Sequence, residues 1–451
     1  MKILHYSLGF PPYRSGGLTK FCVDLMGQQA REGHVVAMLW PGAIQSIDKS
    51  ISIREHKDVL CRGEKTQSFE IINPLPVPLD EGIENIDAFT ANIQGDAYGR
   101  FLEEFAPDVI HIHTLMGLHE SFLQVAKKKE ISLVFTTHDF FPICPKVTMF
   151  RNGRVCSSRW GCEECKICNS TALSEKKIQI LQSPIYRVLK DSPLVKKLRK
   201  KHRENYFLSD VNGTYLDLKK SADSAVEYKK LRNYYYRLLK MMDIIHYNSS
   251  ITKNIYEAFF DLPKGCIVNI THSDIGNHKK RKLFSEKNLR IRYLGPNGGA
   301  KGFYLLKDAL DMLWEKQKNF SLDIHFQPVE VSPYMECHDR YTYKELEEIF
   351  DDTDVLIAPS IWYETFGFTV LEALSYGVPV IISGTVGAKD ILIEGAGIIV
   401  NNITADKLCD TIQRLTKKKL EYMNDLIVQK QPIMQIEEMA KELERKCYGW
   451  T

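Results

Sequence analysis

Two glutamates, Glu364 and Glu372, stand in the stretch of this 451-residue chain whose residue types most clearly point to chemistry. The stretch runs Ile357-Ala358-Pro359-Ser360-Ile361-Trp362-Tyr363-Glu364-Thr365-Phe366-Gly367-Phe368-Thr369-Val370-Leu371-Glu372-Ala373-Leu374. An apolar strand gives way to a loop, and a helix starts near Gly367. The N-terminus of a helix presents unpaired N–H groups and the positive end of a dipole, which suits an anion such as a diphosphate. A carboxylate in the loop can accept hydrogen bonds from sugar hydroxyls. The second, about two helical turns further on, lies on a similar face and can reach a ribose.

Four other groupings carry candidate chemistry. The loop Gly295-Pro296-Asn297-Gly298-Gly299-Ala300-Lys301-Gly302 follows an apolar strand and sets a lysine beside glycine. The segment Pro11-Pro12-Tyr13-Arg14-Ser15-Gly16-Gly17 ends in two glycines that open a helix directly, and Arg14 can face the same cleft. Thr136-Thr137-His138-Asp139 closes another strand at its carboxyl edge, with His111 and His113 flanking the end of the strand before it. The fourth grouping is five cysteines, Cys144, Cys156, Cys162, Cys165 and Cys168. A Cys-x2-Cys pair with two nearby cysteines supplies four thiolates for a tetrahedral Zn²⁺. Cys144, Cys156, Cys162 and Cys165 are the expected ligands, Cys168 being able to replace Cys144, and Arg159–Cys165 suits a knuckle turn. An iron–sulfur cluster is the alternative occupant. The other six cysteines, Cys22, Cys61, Cys266, Cys337, Cys409 and Cys447, read as small buried hydrophobes.

The elements that must position these groups read as two α/β series. In the first, Ile3–Tyr6 is a strand, Leu18–Glu32 has helical spacing, and Val35–Leu39, Val109–Ile112 and Leu133–Thr136 are further strands. In the second, strands are expected at Ile291–Leu294, Asp323–Phe326, Val355–Ala358 and Val380–Ile382, with helices at Phe303–Trp314, Leu346–Phe350 and Val370–Tyr376. Continuous apolar strands alternating with helices predict doubly wound parallel sheets, and ligands gather at the carboxyl ends of such strands.

The run from Glu364 through Glu372-Ala373-Leu374 to Gly377-Val378-Pro379-Val380 resembles the nucleotide-sugar signature of the retaining GT-B glycosyltransferases of family four, glycosyl transferases group 1. The resemblance implies two Rossmann-like domains facing across a cleft. Expected boundaries are 1–265 for the first, 266–428 for the second, and 429–451 for a C-terminal helix packing back on the first. It implies that Glu364 contacts the donor sugar and Glu372 the ribose, with the amides of Thr365, Phe366 and Gly367 near the diphosphate. Lys301 becomes the donor-phosphate cation, and Gly16 and Gly17 approach the diphosphate. His138 positions the sugar, with Asp139 as its orienter or an acceptor contact. Family members commonly have an arginine where this chain has Pro296. The Cys-rich loop 144–168 resembles that of a subset of the family. The implied reaction is front-face transfer with retention from a nucleotide-sugar, UDP before GDP, without a catalytic metal. Rival readings are a nucleotide-sugar epimerase and a non-catalytic transferase-like binder. A dinucleotide oxidoreductase is disfavoured, because no Gly-x-Gly-x-x-Gly follows the first strand.

Composition sets the outer bounds. Hydrophobic residues form 44% and charged residues 26% of the chain, and the net charge is +3, too small to argue for nucleic acid. No apolar run is long enough for a membrane span, and the start lacks a signal-peptide pattern, so a cytoplasmic location is expected. Residues 174–240 break the α/β rhythm as a basic helical insertion. Within it, 176–203 interleaves ten Lys or Arg with Ile178, Leu181, Ile185, Val188, Leu189, Leu194 and Leu198. Such a segment is either a solvated surface or a contact with an anionic inner-leaflet membrane, where lipid-linked acceptors of surface-polysaccharide synthesis would be met.

Overall fold

The computed structural model describes all residues except 46, 152, 157–161, 163, 191, 200–221, 450 and 451, and the side chains of 222–224. Its first sheet contains β1 (Lys2–Tyr6), β2 (Val35–Pro41), β3 (Ser52–Cys61), β4 (Glu64–Ile72), β5 (Val109–Ile112) and β6 (Ser132–Thr136). A small antiparallel hairpin, β7 (Phe150–Arg151) with β8 (Arg154–Val155), lies outside it. The sheet is completed by β9 (Ile244–Tyr247) and β10 (Gly265–Ile267), the latter lying across the expected boundary at residue 265. The strand order is β10-β9-β6-β5-β1-β2-β4-β3. All pairings are parallel except β3 with β4, an antiparallel edge that the apolar pattern did not suggest.

The second sheet is wholly parallel, in the order β13-β12-β11-β14-β15-β16. Its strands are β11 (Leu289–Tyr293), β12 (Phe320–Ile324), β13 (Met335–Cys337), β14 (Val355–Ala358), β15 (Val380–Ser383) and β16 (Gly397–Val400). The strand expected at Asp323–Phe326 begins three residues earlier. Phe320, Leu322 and Ile324 are the buried set and pair with Leu289, Ile291 and Tyr293, which leaves His325 and Phe326 beyond the strand end.

Strand order reverses once in each sheet, between β1 and β5 and between β11 and β14. At such a switch point neighbouring strands send their following chain to opposite sides, and a crevice opens at their carboxyl ends. The loops after β1, β11 and β14 carry Gly16-Gly17, Lys301 and Glu364 respectively, so topology alone gathers them.

One apolar cluster joins the two sheets. Ile3, Phe21, Leu25 and Val109 from the first meet Val370, Leu374 and Val380 from the second, together with Met439 and Leu443 of the helix Ile436–Leu443. Polar contacts reinforce it: Thr365 Oγ1 donates to the His138 carbonyl at 3.1 Å, and Ser249 Oγ donates to the Thr365 carbonyl at 2.6 Å. Arg62 bonds both Asp24, at 2.6 Å, and Asp274, at 2.7 Å, while Lys20 pairs with the same two carboxylates.

The lysine loop has little freedom. Gly302 has φ +81°, and a Cβ there would lie 2.0 Å from the Pro359 carbonyl oxygen. A side chain would be strained by the backbone and blocked by an atom that cannot yield. Gly302→Ala should therefore lose at least about 1–3 kcal/mol of stability, read as a lower thermal midpoint, whereas Gly298→Ala, with no atom within 4 Å of its Cβ position, should melt near the parent.

Candidate active site

The crevice between the sheets is a cavity of about 530 Å³. Gly16, Gly17 and Lys20 line it from the first half; Pro296, Lys301, Tyr341, Tyr343, Glu364, Gly367, Phe368, Thr369 and Glu372 line it from the second.

At one end Lys301 Nζ forms an ion pair with Glu364 Oε2, and Trp362 Nε1 donates to the same oxygen at 3.2 Å. The ammonium also lies 5.1 Å from the centre of the Trp362 ring. The Glu364 backbone is held on both sides, its N–H donating to the Thr385 carbonyl at 3.0 Å and its carbonyl accepting from Gly387 at 2.9 Å. An ammonium and a carboxylate held by its backbone therefore share one point of the cavity wall.

Beside them the helix Phe368–Ser375 begins, with Gly367 at its cap in the left-handed region, φ +103°. The cavity meets Gly367, Phe368 and Thr369, so the anion-binding end of that helix faces the space. The cavity lining coincides with the expected amide set at one residue. Gly367 lines the cavity, as do Phe368 and Thr369, whereas Phe366 is buried in the core and the Thr365 hydroxyl and carbonyl turn to His138 and Ser249, so neither of these two lines it. The difference follows from the turn at Gly367, which carries the chain away from the β14 loop before the first helical turn.

Glu372 is 3% exposed and lines the cavity, while its Oε1 accepts from His272 Nε2 at 3.2 Å. The Phe368 ring stands edge-on to His272 at 5.0 Å. His272 escaped the sequence reading because it falls in the connection between the sheets, in no periodic element or motif. Lys20 and Tyr343 were missed as well. Lys20 lies 5.0 Å over the Tyr343 ring and lines the cavity with Lys301, its ammonium paired with Asp24 and Asp274.

His138 does not line the cavity. Its ring packs on Phe21 at 4.9 Å and belongs to a buried array. Gln29 Nε2 donates to Glu444 at 3.0 Å, which turns Gln29 Oε1 toward His5 Nε2 at 2.8 Å. His5 Nδ1 meets His113 Nε2 at 2.9 Å, and His113 Nδ1 meets His138 Nε2 at 3.1 Å. With neutral rings the protons have one consistent order: each Nε2–H donates down the chain, and His138 Nδ1 is left as an acceptor. A parallel chain links Tyr448 OH to His111 Nδ1 at 2.7 Å, His111 Nε2 to Thr136 at 2.6 Å, and Thr136 to His246 Nδ1 at 2.8 Å. Asp139 lies outside the cavity lining too. Burial lifts its carboxyl to about 6 against the pull of the Phe141 N–H at 2.9 Å. Arg14 is likewise absent from the lining and rests 4.8 Å over the Tyr13 ring. The five clustered cysteines line a second pocket, of about 500 Å³.

Residues 334–431 match the family Glycosyl transferases group 1. An "uncharacterized 41.2 kDa protein in cps region" of Klebsiella pneumoniae is 38% identical over 74 residues, 16% of this chain and 20% of that protein. The match thus spans a fifth of that relative's length. Among solved structures, a glycosyltransferase from Rickettsia africae superposes with a TM-score of 0.57 at 11% identity, over 99% of this chain and 98% of its own. HepE from Anabaena, in complex with UDP and glucose, gives 0.56 at 12% identity over the whole of both chains.

The fold is GT-B. At such identities the likeness is one of architecture, and the group 1 match covers the part of the GT-B chain that carries Glu364 and Glu372.

Burial holds His5, His138 and His246 near about 4, 3 and 4, and His111 and His113 well below their ordinary value. An unfolded histidine titrates near about 6.5, so between these values the unfolded chain binds more protons. The contribution of these histidines should be fully present above about pH 6.5 and fall as pH drops toward 4, offset in part by Asp139 and Glu444, whose carboxyls burial raises to about 6 and about 7 and which act in the opposite sense. Thermal midpoints measured across that range should show the fall, and His246→Gln should make it shallower.

Proposed function

We propose that this protein is a glycosyltransferase that moves a sugar from a nucleoside-diphosphate donor to an acceptor hydroxyl with retention of anomeric configuration. The observation that carries this reading is the Lys301–Glu364 pair at the mouth of the helix Phe368–Ser375, with Glu372 buried in the same cavity. A cation and free amides suit a diphosphate, and two carboxylates suit the hydroxyls on either side of it. The group 1 match over 334–431 supports the class, and the UDP and glucose bound to the structurally similar HepE favour UDP as the base-bearing half.

In the proposed reaction the acceptor oxygen attacks the anomeric carbon from the side of the leaving group. The bond from that carbon to the diphosphate oxygen breaks, the diphosphate takes the electron pair, and the same oxygen receives the acceptor proton. Lys301 leaves Glu364 to meet the growing charge, aided by the amides of the helix. Glu364, released, holds sugar hydroxyls, and Glu372, oriented by His272, holds the ribose. Alignment and charge stabilisation supply the rate, and the step calls on no metal. His138 acts from behind the cleft, its carbonyl holding Thr365, the residue after Glu364.

The acceptor is a glycan or a lipid-linked glycan of surface-polysaccharide synthesis, a reading supported by the cps-region relative. The basic insertion supports peripheral contact with an anionic membrane. Ile180, Ile185, Val188, Leu189, Leu194 and Leu198 are all exposed among Lys176, Lys177, Lys190, Lys196 and Lys197. Exposed aliphatic residues interleaved with cations suit the boundary between headgroups and acyl chains. Residues 200–203 of the expected basic stretch fall outside the described residues, and no helix among the described residues is long and apolar enough to cross a membrane.

Two experiments test this. In a thermal-shift screen of nucleotide-sugars, a UDP-sugar should raise the midpoint by mass action. Glu364→Gln should keep that shift and lose at least about 100-fold in transfer; undiminished turnover would remove Glu364 from the chemistry. In sedimentation with vesicles, the protein should follow phosphatidylglycerol rather than phosphatidylcholine, and Val188→Ser with Leu194→Ser should weaken the association. Equal recovery with both lipids would refute the membrane contact.

A further inference from the structure

The loop that follows His138–Asp139 turns back on itself and brings five thiols to one pocket. Ile143 and Cys144 donate their N–H groups to the Phe140 carbonyl at 2.9 and 2.7 Å, and Phe140 donates to the Val147 carbonyl at 3.1 Å. The hairpin β7–β8 then returns the chain, and Cys156 N–H donates to the Met149 carbonyl at 2.7 Å. At Cys162 the backbone enters the left-handed region, φ +51°, and Cys165 N–H donates to the Cys162 carbonyl at 3.0 Å. This is the turn a Cys-x2-Cys knuckle needs to aim both thiols the same way.

Cys144, Cys156, Cys162, Cys165 and Cys168 all line the pocket, with Arg151, Arg154 and Arg232 around them. Arg232 Nε donates to the Ile143 carbonyl at 3.2 Å, next to Cys144. Four thiolates on a divalent ion leave a net charge of about −2, which Arg154 and Arg232 on the pocket wall offset, while Arg151 is paired with Glu164 of the same wall at 2.9 Å. The donor set also excludes the hard cations, which take oxygen ligands. A disulfide set is the competing use, but five cysteines cannot all pair. Among the described residues, the ligand trios already within 4.8 Å of one another lie elsewhere, so an ion would draw these thiols inward.

We infer that this pocket is a structural zinc centre, with Cys144, Cys156, Cys162 and Cys165 as ligands and Cys168 able to stand in for Cys144. Its effect reaches the cleft through two contacts. Phe140 packs edge-on against Tyr363, the residue before Glu364, at 6.1 Å. Tyr256 OH donates to the Asp139 carbonyl at 2.7 Å while its ring faces Phe140 at 6.1 Å. Fixing the loop at Cys144 therefore fixes the end of β6 on one side and the Glu364 loop on the other. The inference does not rest on the proposed transfer reaction, because metal content and stability are read without substrate.

The test is elemental analysis of the purified full chain together with its visible spectrum. About one zinc per chain and no visible absorbance are expected. Modifying the thiols of the parent protein with a mercurial should release that zinc in step with four of them, a measurement that needs no variant to fold. Cys162→Ser with Cys165→Ser should carry no zinc and melt lower, whereas Cys337→Ser, on β13 and away from the pocket, should keep both metal and midpoint. Metal-free protein, zinc retained by the double variant, or iron with acid-labile sulfide and a broad visible band would each overturn the assignment.

Discussion

The ion pair between Lys301 and Glu364 exists because two loops far apart in sequence leave adjacent strands at the point where strand order reverses. β11 hands its chain to one side of the second sheet and β14 to the other, so the ends of these two strands are left uncovered by a crossover helix. The loops that fill the gap must carry their own restraints. Gly302 lets one loop lie against the Pro359 carbonyl, and backbone bonds to Thr385 and Gly387 pin the other. The two charges satisfy each other. In the proposed reaction a diphosphate would compete for the lysine and free the carboxylate for hydroxyls.

Behind the cleft the structure sets aside a second polar layer that never meets the cavity. Five histidines, a threonine, a glutamine and the C-terminal Glu444 and Tyr448 share hydrogen bonds across β1, β5, β6 and β9. Buried imidazoles are stable when neutral and hydrogen-bonded. That requirement ties the last turn of the chain to the first strand, since His5 takes its orientation from Gln29, and Gln29 takes its own from Glu444. Residues far apart in sequence thereby decide how the His138 ring stands in the layer behind the cleft.

Much of this was legible in the residues themselves. Strands such as Val109–Ile112 and Val355–Ala358, and the helix Phe303–Trp314, are continuous or periodic apolar runs and coincide with the observed elements. The Glu364–Glu372 stretch announced itself because a strand, a glycine and a helix start follow in a fixed order. What stayed hidden depends on the third dimension. His272 acquires meaning only when the connecting segment folds under Glu372, and the β3–β4 edge is a hairpin closed at Arg62-Gly63 whose first strand is polar and exposed, so it carries no apolar run to read. Thr365 and Phe366 were placed at the phosphate by position in a motif, yet the turn at Gly367 sends one to the opposite half and the other into the core.

The central claim is that Lys301 is the cation of a diphosphate site. Titration calorimetry of UDP and of uridine against the parent and Lys301→Ala addresses it directly. A charge-assisted contact is worth about 1.5–3 kcal/mol, so UDP should bind at least about tenfold more weakly to the variant while uridine binds both proteins alike. Equal UDP affinity in the two proteins would contradict the account.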